Sequence, residues 1–129
     1  MADRPWAYGC SPFGHNPLTG QVATADEMAA HTALAQQLAR AIWEDGYLPI
    51  VPHLYAPQFL DDHEPAERAY AIQWGLELLG RCEVLYVYDA VPPTSGMQYE
   101  IAWAREHGIP RRRWRPETVR SAGGEARGL

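Results

Sequence analysis

Residues 94–100 read TSGMQYE. They follow a hydrophobic run, VLYVYD (84–89), and open a helix-like pattern that continues as IAWAREHG. Glu100 is a carboxylate about one turn into that pattern. A helix opened by Ser95 presents free backbone N–H groups and a positive dipole end, which suit an anion or a ribose hydroxyl. Gly96 lets a ligand approach the backbone closely. The same dipole is expected to keep Glu100 ionised. An ionised, well-placed carboxylate is a workable nucleophile toward an electron-poor carbon such as an anomeric centre. Helical spacing puts Met97, Trp103 and Ala104 beside it, as a screen against water. The plainer reading is helix electrostatics, in which a first-turn Glu contributes about 0.3–1 kcal/mol. Spacing alone favours that plainer reading.

The elements that must carry these residues alternate. Trp6–Cys10 reads as a first strand, followed by a turn-rich loop, SPFGHNPLTGQ. Thr24 opens a helix with Glu27 as capping-box partner; Met28, Leu34, Leu38 and Ile42 keep helical spacing, and Gly46 sits where a C-terminal cap belongs. YLPIVP is a second strand ending near His53. Pro65 starts a second helix with Tyr70, Trp74 and Leu78 on one face and Leu76 and Leu79 adding apolar surface. VLYVYD is the third strand, apolar on both faces as a central parallel strand is. Ser95 caps the third helix with Gln98 as its partner, Gly108 ends it, and IPRRRW is a fourth, edge strand. Residues 1–115 form one domain, and the polar segment 116–129 is expected to be a mobile tail. Strand–helix alternation predicts an α/β fold with a parallel sheet, in the small flavodoxin-like order 2-1-3-4. The chain then reverses its winding between strands one and three, and ligands bind outside the carboxyl ends of strands at such a point. Two loops meet there: SPFGHN, carrying Ser11, Phe13 and Gly14, and VPPTSGMQYE.

Composition narrows the function. The chain has 129 residues, 47% of them apolar, with a net charge of -5 and a pI of about 5.4. That suits one folded core and argues against a general nucleic-acid binder. No run approaches the roughly 18 apolar residues of a membrane span. MADRPWAYGC lacks the apolar segment of a signal peptide, so a cytoplasmic setting is expected. Cys10 and Cys82 read as buried reduced thiols. All 11 basic residues are arginine, which excludes lysine-dependent Schiff-base or P-loop chemistry. No His/Cys/Asp set has metal-ligand spacing, and neither metal nor other cofactor is expected.

The residues also carry a resemblance. TSGMQYE resembles the [Ser/Thr]-x-Gly-x-x-x-Glu motif of the nucleoside 2-deoxyribosyltransferase superfamily, which includes 2′-deoxynucleoside 5′-phosphate N-hydrolases. Tyr8 to Phe13 (YGCSPF) is similar to its first-strand signature. GYLPIVPH (46–53), PAER (65–68) and LELLGRCEVLYVY (76–88) resemble a short branch of the superfamily. The resemblance covers roughly residues 6 to 110. It implies a flavodoxin-like fold assembled as a homodimer or higher homo-oligomer, and a nucleoside or nucleotide as the small-molecule partner. It implies that Glu100 attacks C1′ and that Tyr8 orients it. Thr94 and Gly96 would hold sugar or phosphate, and Phe13 would lie near the base. The glycosidic bond would split through a covalent glycosyl-enzyme intermediate, with water or a second base accepting the sugar.

Two positions depart from the pattern. The first-strand Gly is Ser11 here. Gly75 falls where characterised members carry an Asp that assists the leaving base; Glu77 is nearby, and Asp61, Asp62 and Asp89 are other carboxylates within reach of the crevice. A leaving base needs a proton or a strong hydrogen bond. The rival readings are therefore a nucleotide-binding module without catalysis and an assembly protein with a vestigial crevice. His53 could be a general acid, a base contact or a loop anchor. His15 and Asn16 fit either ligand contact or a solvated loop. Asp61, Asp62, His63 and Glu64 read as a solvated loop and helix N-cap. The run Arg111, Arg112, Arg113 and Arg115 reads as charge on an edge strand, with a phosphate contact or subunit salt bridge as the alternative.

Overall fold

Strand alternation sends neighbouring residues to opposite sides of a four-stranded sheet. The computed structural model describes residues 3–116; the expected mobile tail falls outside them apart from Pro116. The strands are β1 (Trp6–Cys10), β2 (Leu48–Ile50), β3 (Val84–Tyr88) and β4 (Arg111–Trp114). All pair in parallel, in the order β2-β1-β3-β4. The helices are α1 (Ala25–Glu44), α2 (Pro65–Leu79) and α3 (Ser95–Glu106). This is the flavodoxin-like α/β arrangement, with the winding reversal between β1 and β3.

On one side of the sheet, Ala7, Val84, Tyr86 and Trp114 pack with Ala35, Leu38 and Ile42 of α1. On the other, Tyr8, Cys10, Leu85 and Val87 pack with Leu79 of α2 and with Met97 and Ala104 of α3. Both thiols are buried and free. Thr24 and Glu27 close the capping box on α1, and Gly46 follows the C-cap Asp45 with a φ of 98°. Among the described residues no helix is long and apolar enough to cross a membrane.

Several local expectations shift. β2 stops at Ile50, because Pro52 opens a 3₁₀ turn, Pro52–Leu54, and His53 sits in that turn. The N-cap of α3 is Thr94, whose Oγ1 accepts from the Met97 N–H at 3.3 Å. Ser95 is already helical, and the Gln98 side chain bonds the Pro93 carbonyl instead of closing a box. On α2 the fully buried residues are Gly75 and Leu79. That face lies one residue round from the expected stripe, and it leaves Tyr70 72% exposed.

Candidate functional site

Four segments converge outside the carboxyl ends of β1 and β3. The β1–α1 loop brings Ser11, Phe13, Gly14 and His15. The 3₁₀ turn brings His53. The loop into α2 and its first turns bring Asp61, Asp62, Glu67 and Arg68. The start of α3 brings Thr94, Gly96, Met97 and Glu100, and Tyr8 reaches up from β1. The cavity between them measures about 80 Å³, against roughly 10–15 Å³ needed for one water, so a small-molecule group fits beside Glu100.

Glu100 is partly buried, and the Tyr8 hydroxyl donates a hydrogen bond to its Oε2. Burial raises the Glu100 carboxyl from the ordinary carboxylate range to about 7; the hydrogen bonds from Tyr8 and from the Cys10 thiol pull the other way and lose. The expectation that the helix dipole keeps this group fully ionised is thereby corrected. Glu100 lies beyond the first turn of α3, which holds no acidic residue, and desolvation disfavours its charged form. Tyr8 is pushed well above its usual value, by burial first and by the Glu100 carboxylate second, so it stays a donor. Cys10 rises for the same two reasons, and its Sγ lies 3.9 Å from the Met97 carbonyl oxygen.

Gly75 of α2 explains how this pair fits. A methyl group at its Cα would lie 2.8 Å from Tyr8 Oη and 3.8 Å from Glu100 Oε2. Only a residue without a side chain lets α2 close this tightly over the Tyr8 hydroxyl. The space in which a carboxylate at position 75 would lie is taken by the Tyr8 hydroxyl. Glu77 is exposed and does not line the cavity.

On the opposite wall the Phe13 and His53 rings stack, with centroids 5.3 Å apart and planes at 18°. Burial lowers the His53 value, and the nearby Asp62 charge only partly offsets this, so the imidazole is neutral near pH 7. Ser11 is 0% exposed and its Oγ has no hydrogen-bond partner. A buried hydroxyl left unpaired at a cavity wall is a contact waiting for a ligand or a water.

Arg68 and Asp62 are the residues the sequence reading missed as a cavity pair. Arg68 Nη1 lies 3.1 Å from Asp62 Oδ2. A methyl on Gly14 would fall 1.8 Å from that same carboxylate oxygen, and one on Gly96 would fall 3.6 Å from Arg68 Nη2. The ion pair thus spans the gap between the two loops. A clue lay in the sequence: two acids, then Pro65, then Arg68 in the first turn of a helix. Nothing in that spacing tells which way the pair points.

Two expected ligand contacts lie outside the cavity walls. Asp89 faces the β4 side, where its Oδ1 accepts from Arg115 Nε at 2.9 Å and its Oδ2 lies 3.6 Å from Arg113 Nε. Strand β4 turns these arginines toward Asp89, and their charge holds it there. Ser95 is exposed, since the cap position that faces the crevice belongs to Thr94. Among the described residues no cluster of His, Cys, Asp and Glu is placed to hold a metal ion.

No curated protein matches the chain. A family model described as "Domain of unknown function (DUF7768)" matches residues 5–114, from the residue before β1 to the last residue of β4. That span takes in all four strands and every cavity residue named above, and the chain belongs to this family.

Proposed function

We propose that this protein cleaves the N-glycosidic bond of a nucleoside or nucleoside 5′-monophosphate, or transfers its sugar, with Glu100 as the nucleophile. The observation that carries the reading is the Tyr8–Glu100 hydrogen bond at the wall of a cavity of about 80 Å³. Tyr8 fixes one carboxylate oxygen and leaves the other for C1′. Thr94, Gly96 and Met97 offer the sugar or its phosphate the start of α3, and the stacked Phe13–His53 pair offers the base a flat apolar surface. Attack by the carboxylate forms a glycosyl ester, which water or a second base resolves. A cytoplasmic setting, where Cys10 and Cys82 stay reduced, and assembly as a homodimer belong to the same reading. Sedimentation of the purified chain tests the second point.

Free base released from a nucleoside and nucleotide panel, measured by liquid chromatography, tests the activity. The Glu100→Ala variant is expected to lose release by about a thousandfold or more while keeping its circular dichroism spectrum. Undiminished release by that variant would rule out the assignment.

A second reading is a binding module without turnover, and Gly75 favours it. No carboxylate stands at that position to meet the leaving base, and the Tyr8 hydroxyl fills the space. Saturable calorimetric binding with no base released over hours would support the module; rapid release would exclude it.

A further inference from the structure

Among the described residues four carboxylates line the cavity, Asp61, Asp62, Glu67 and Glu100, against one guanidinium, Arg68. Arg68 is already held by Asp62 at 3.1 Å, so its charge is spent within the wall. The cavity histidines are His15 and His53, and His53 is neutral because burial depresses it. An added 5′-phosphate would bring two more negative charges into this surrounding. A positive ligand group would be drawn in, and Phe13 and His53 put aromatic rings in the cavity wall, which a flat cation prefers. The unpaired, fully buried Ser11 hydroxyl is a separate sign that this cavity is built to hold a polar ligand.

The leaving group points the same way. Tyr8 donates to Glu100 and holds its proton tightly. Asp62 is in an ion pair, and Glu67 accepts from the Asp61 N–H at 2.8 Å. Gly75 supplies nothing. A neutral base would leave as an anion here unless it were protonated. A base that already carries positive charge leaves neutral.

We infer that the ligand of this cavity is a nucleoside without a 5′-phosphate whose base is a quaternised, cationic heteroaromatic ring, such as a pyridinium or an N7-alkylated purine. The inference rests on the glycosidase reading for its chemical step, though not for its binding step. In that step the Glu100 carboxylate bonds to C1′ and the C1′–N bond breaks. Its electron pair cancels the ring charge, so the base departs neutral and no proton is needed. Water then attacks C1′ of the ester, the carboxylate leaves, and one proton passes to solvent. The bound cation also favours the ionised form of Glu100, so the ligand itself readies the nucleophile.

The test separates binding from turnover. Calorimetry with the Glu100→Gln variant compares 1-methylnicotinamide with nicotinamide, two rings of nearly equal shape and different charge. At least tenfold tighter binding of the cation is expected, with the margin reduced several-fold by Glu67→Gln. Equal binding, or preference for the neutral ring, would overturn the inference whatever the catalysis shows. Wild-type protein is then assayed with nicotinamide riboside, nicotinamide mononucleotide and 2′-deoxyadenosine. Release fastest from the unphosphorylated cationic nucleoside, each rate corrected for the Glu100→Gln background, is the supporting result. Release from the neutral nucleoside or the mononucleotide at an equal rate would overturn the inference and leave the glycosidase reading standing. Cation-selective binding with no release from any of the three would keep the ligand class and sink the glycosidase reading instead.

Discussion

A carboxyl group raised to about 7 is half ionised in neutral water, and this sets how Glu100 behaves. On the proposed reading Glu100 attacks only in its charged form, so base release is expected to rise with pH and level off above a midpoint near 7. Tyr8→Phe removes a donor that favours the charged form, and its midpoint is expected to move upward in the same pH–rate profile. Stability carries the opposite sign. The folded value lies above the unfolded one, about 4.3, so the stabilising contribution is full below about pH 4 and is lost as pH rises through about 7. Against Glu100→Gln, which does not titrate, the wild-type protein is expected to lose on the order of 3 kcal/mol between pH 4 and pH 8. Urea titrations at the two pH values measure it. Glu100 and Tyr8 were legible as a pair only through the family resemblance, whose two motifs carry them, and the hydrogen bond between them joins them in the structure. Arg68 and Asp62 were not, because a surface-type ion pair and a cavity ion pair have the same spacing along the chain. Asp89 was misplaced for a related reason: it ends the strand beside the crevice, but the three-dimensional position of Arg113 and Arg115 decides where its carboxylate turns.

At the scale of elements, α2 controls the site through the absence of one side chain. Gly75→Ala places a methyl 2.8 Å from Tyr8 Oη, a contact that must relax by moving Tyr8 or the helix. Overpacking of this kind costs about 1–3 kcal/mol. It is also expected to break the Tyr8–Glu100 hydrogen bond, so the pH–rate midpoint of Gly75→Ala should shift as that of Tyr8→Phe does. A stability loss without that shift would show that the glycine serves packing alone. The order and type of the elements could be read from the chain because VLYVY, the α1 capping box and the glycine and proline stops each obey one local rule. The ends could not be read as well. Thr94 and Ser95 are both good caps, and the choice depends on where the chain leaves β3. On α2, Leu79 is buried and Leu76 and Leu78 pack against the core, as their apolar character predicts; Tyr70 turns outward because the smaller face of Ala71 and Gly75 is the one that closes over Tyr8.

For the whole molecule, the sheet separates two cores that share β1 and β3. Leu38 anchors one side and Leu79 the other, and both are 0% exposed. Leu38→Ala and Leu79→Ala are each expected to cost about 2–5 kcal/mol. Since the same strands feed both cores, each variant should still unfold in one transition, with fluorescence and circular dichroism curves coinciding. Separate transitions would mean that the two sides fold independently. The crevice stands on both cores, because Tyr8 rises from the Leu79 side while the Phe13 carbonyl meets the His31 imidazole of α1.

The most direct trial of Glu100 is to catch the sugar on it. Wild-type protein mixed with a cleavable nucleoside, quenched in acid and digested, is expected to yield the peptide containing Glu100 with the added mass of one glycosyl group, absent from Glu100→Gln. Base release accompanied by an adduct on another residue, or by an unchanged Glu100 peptide under conditions where the ester would persist, would contradict the account.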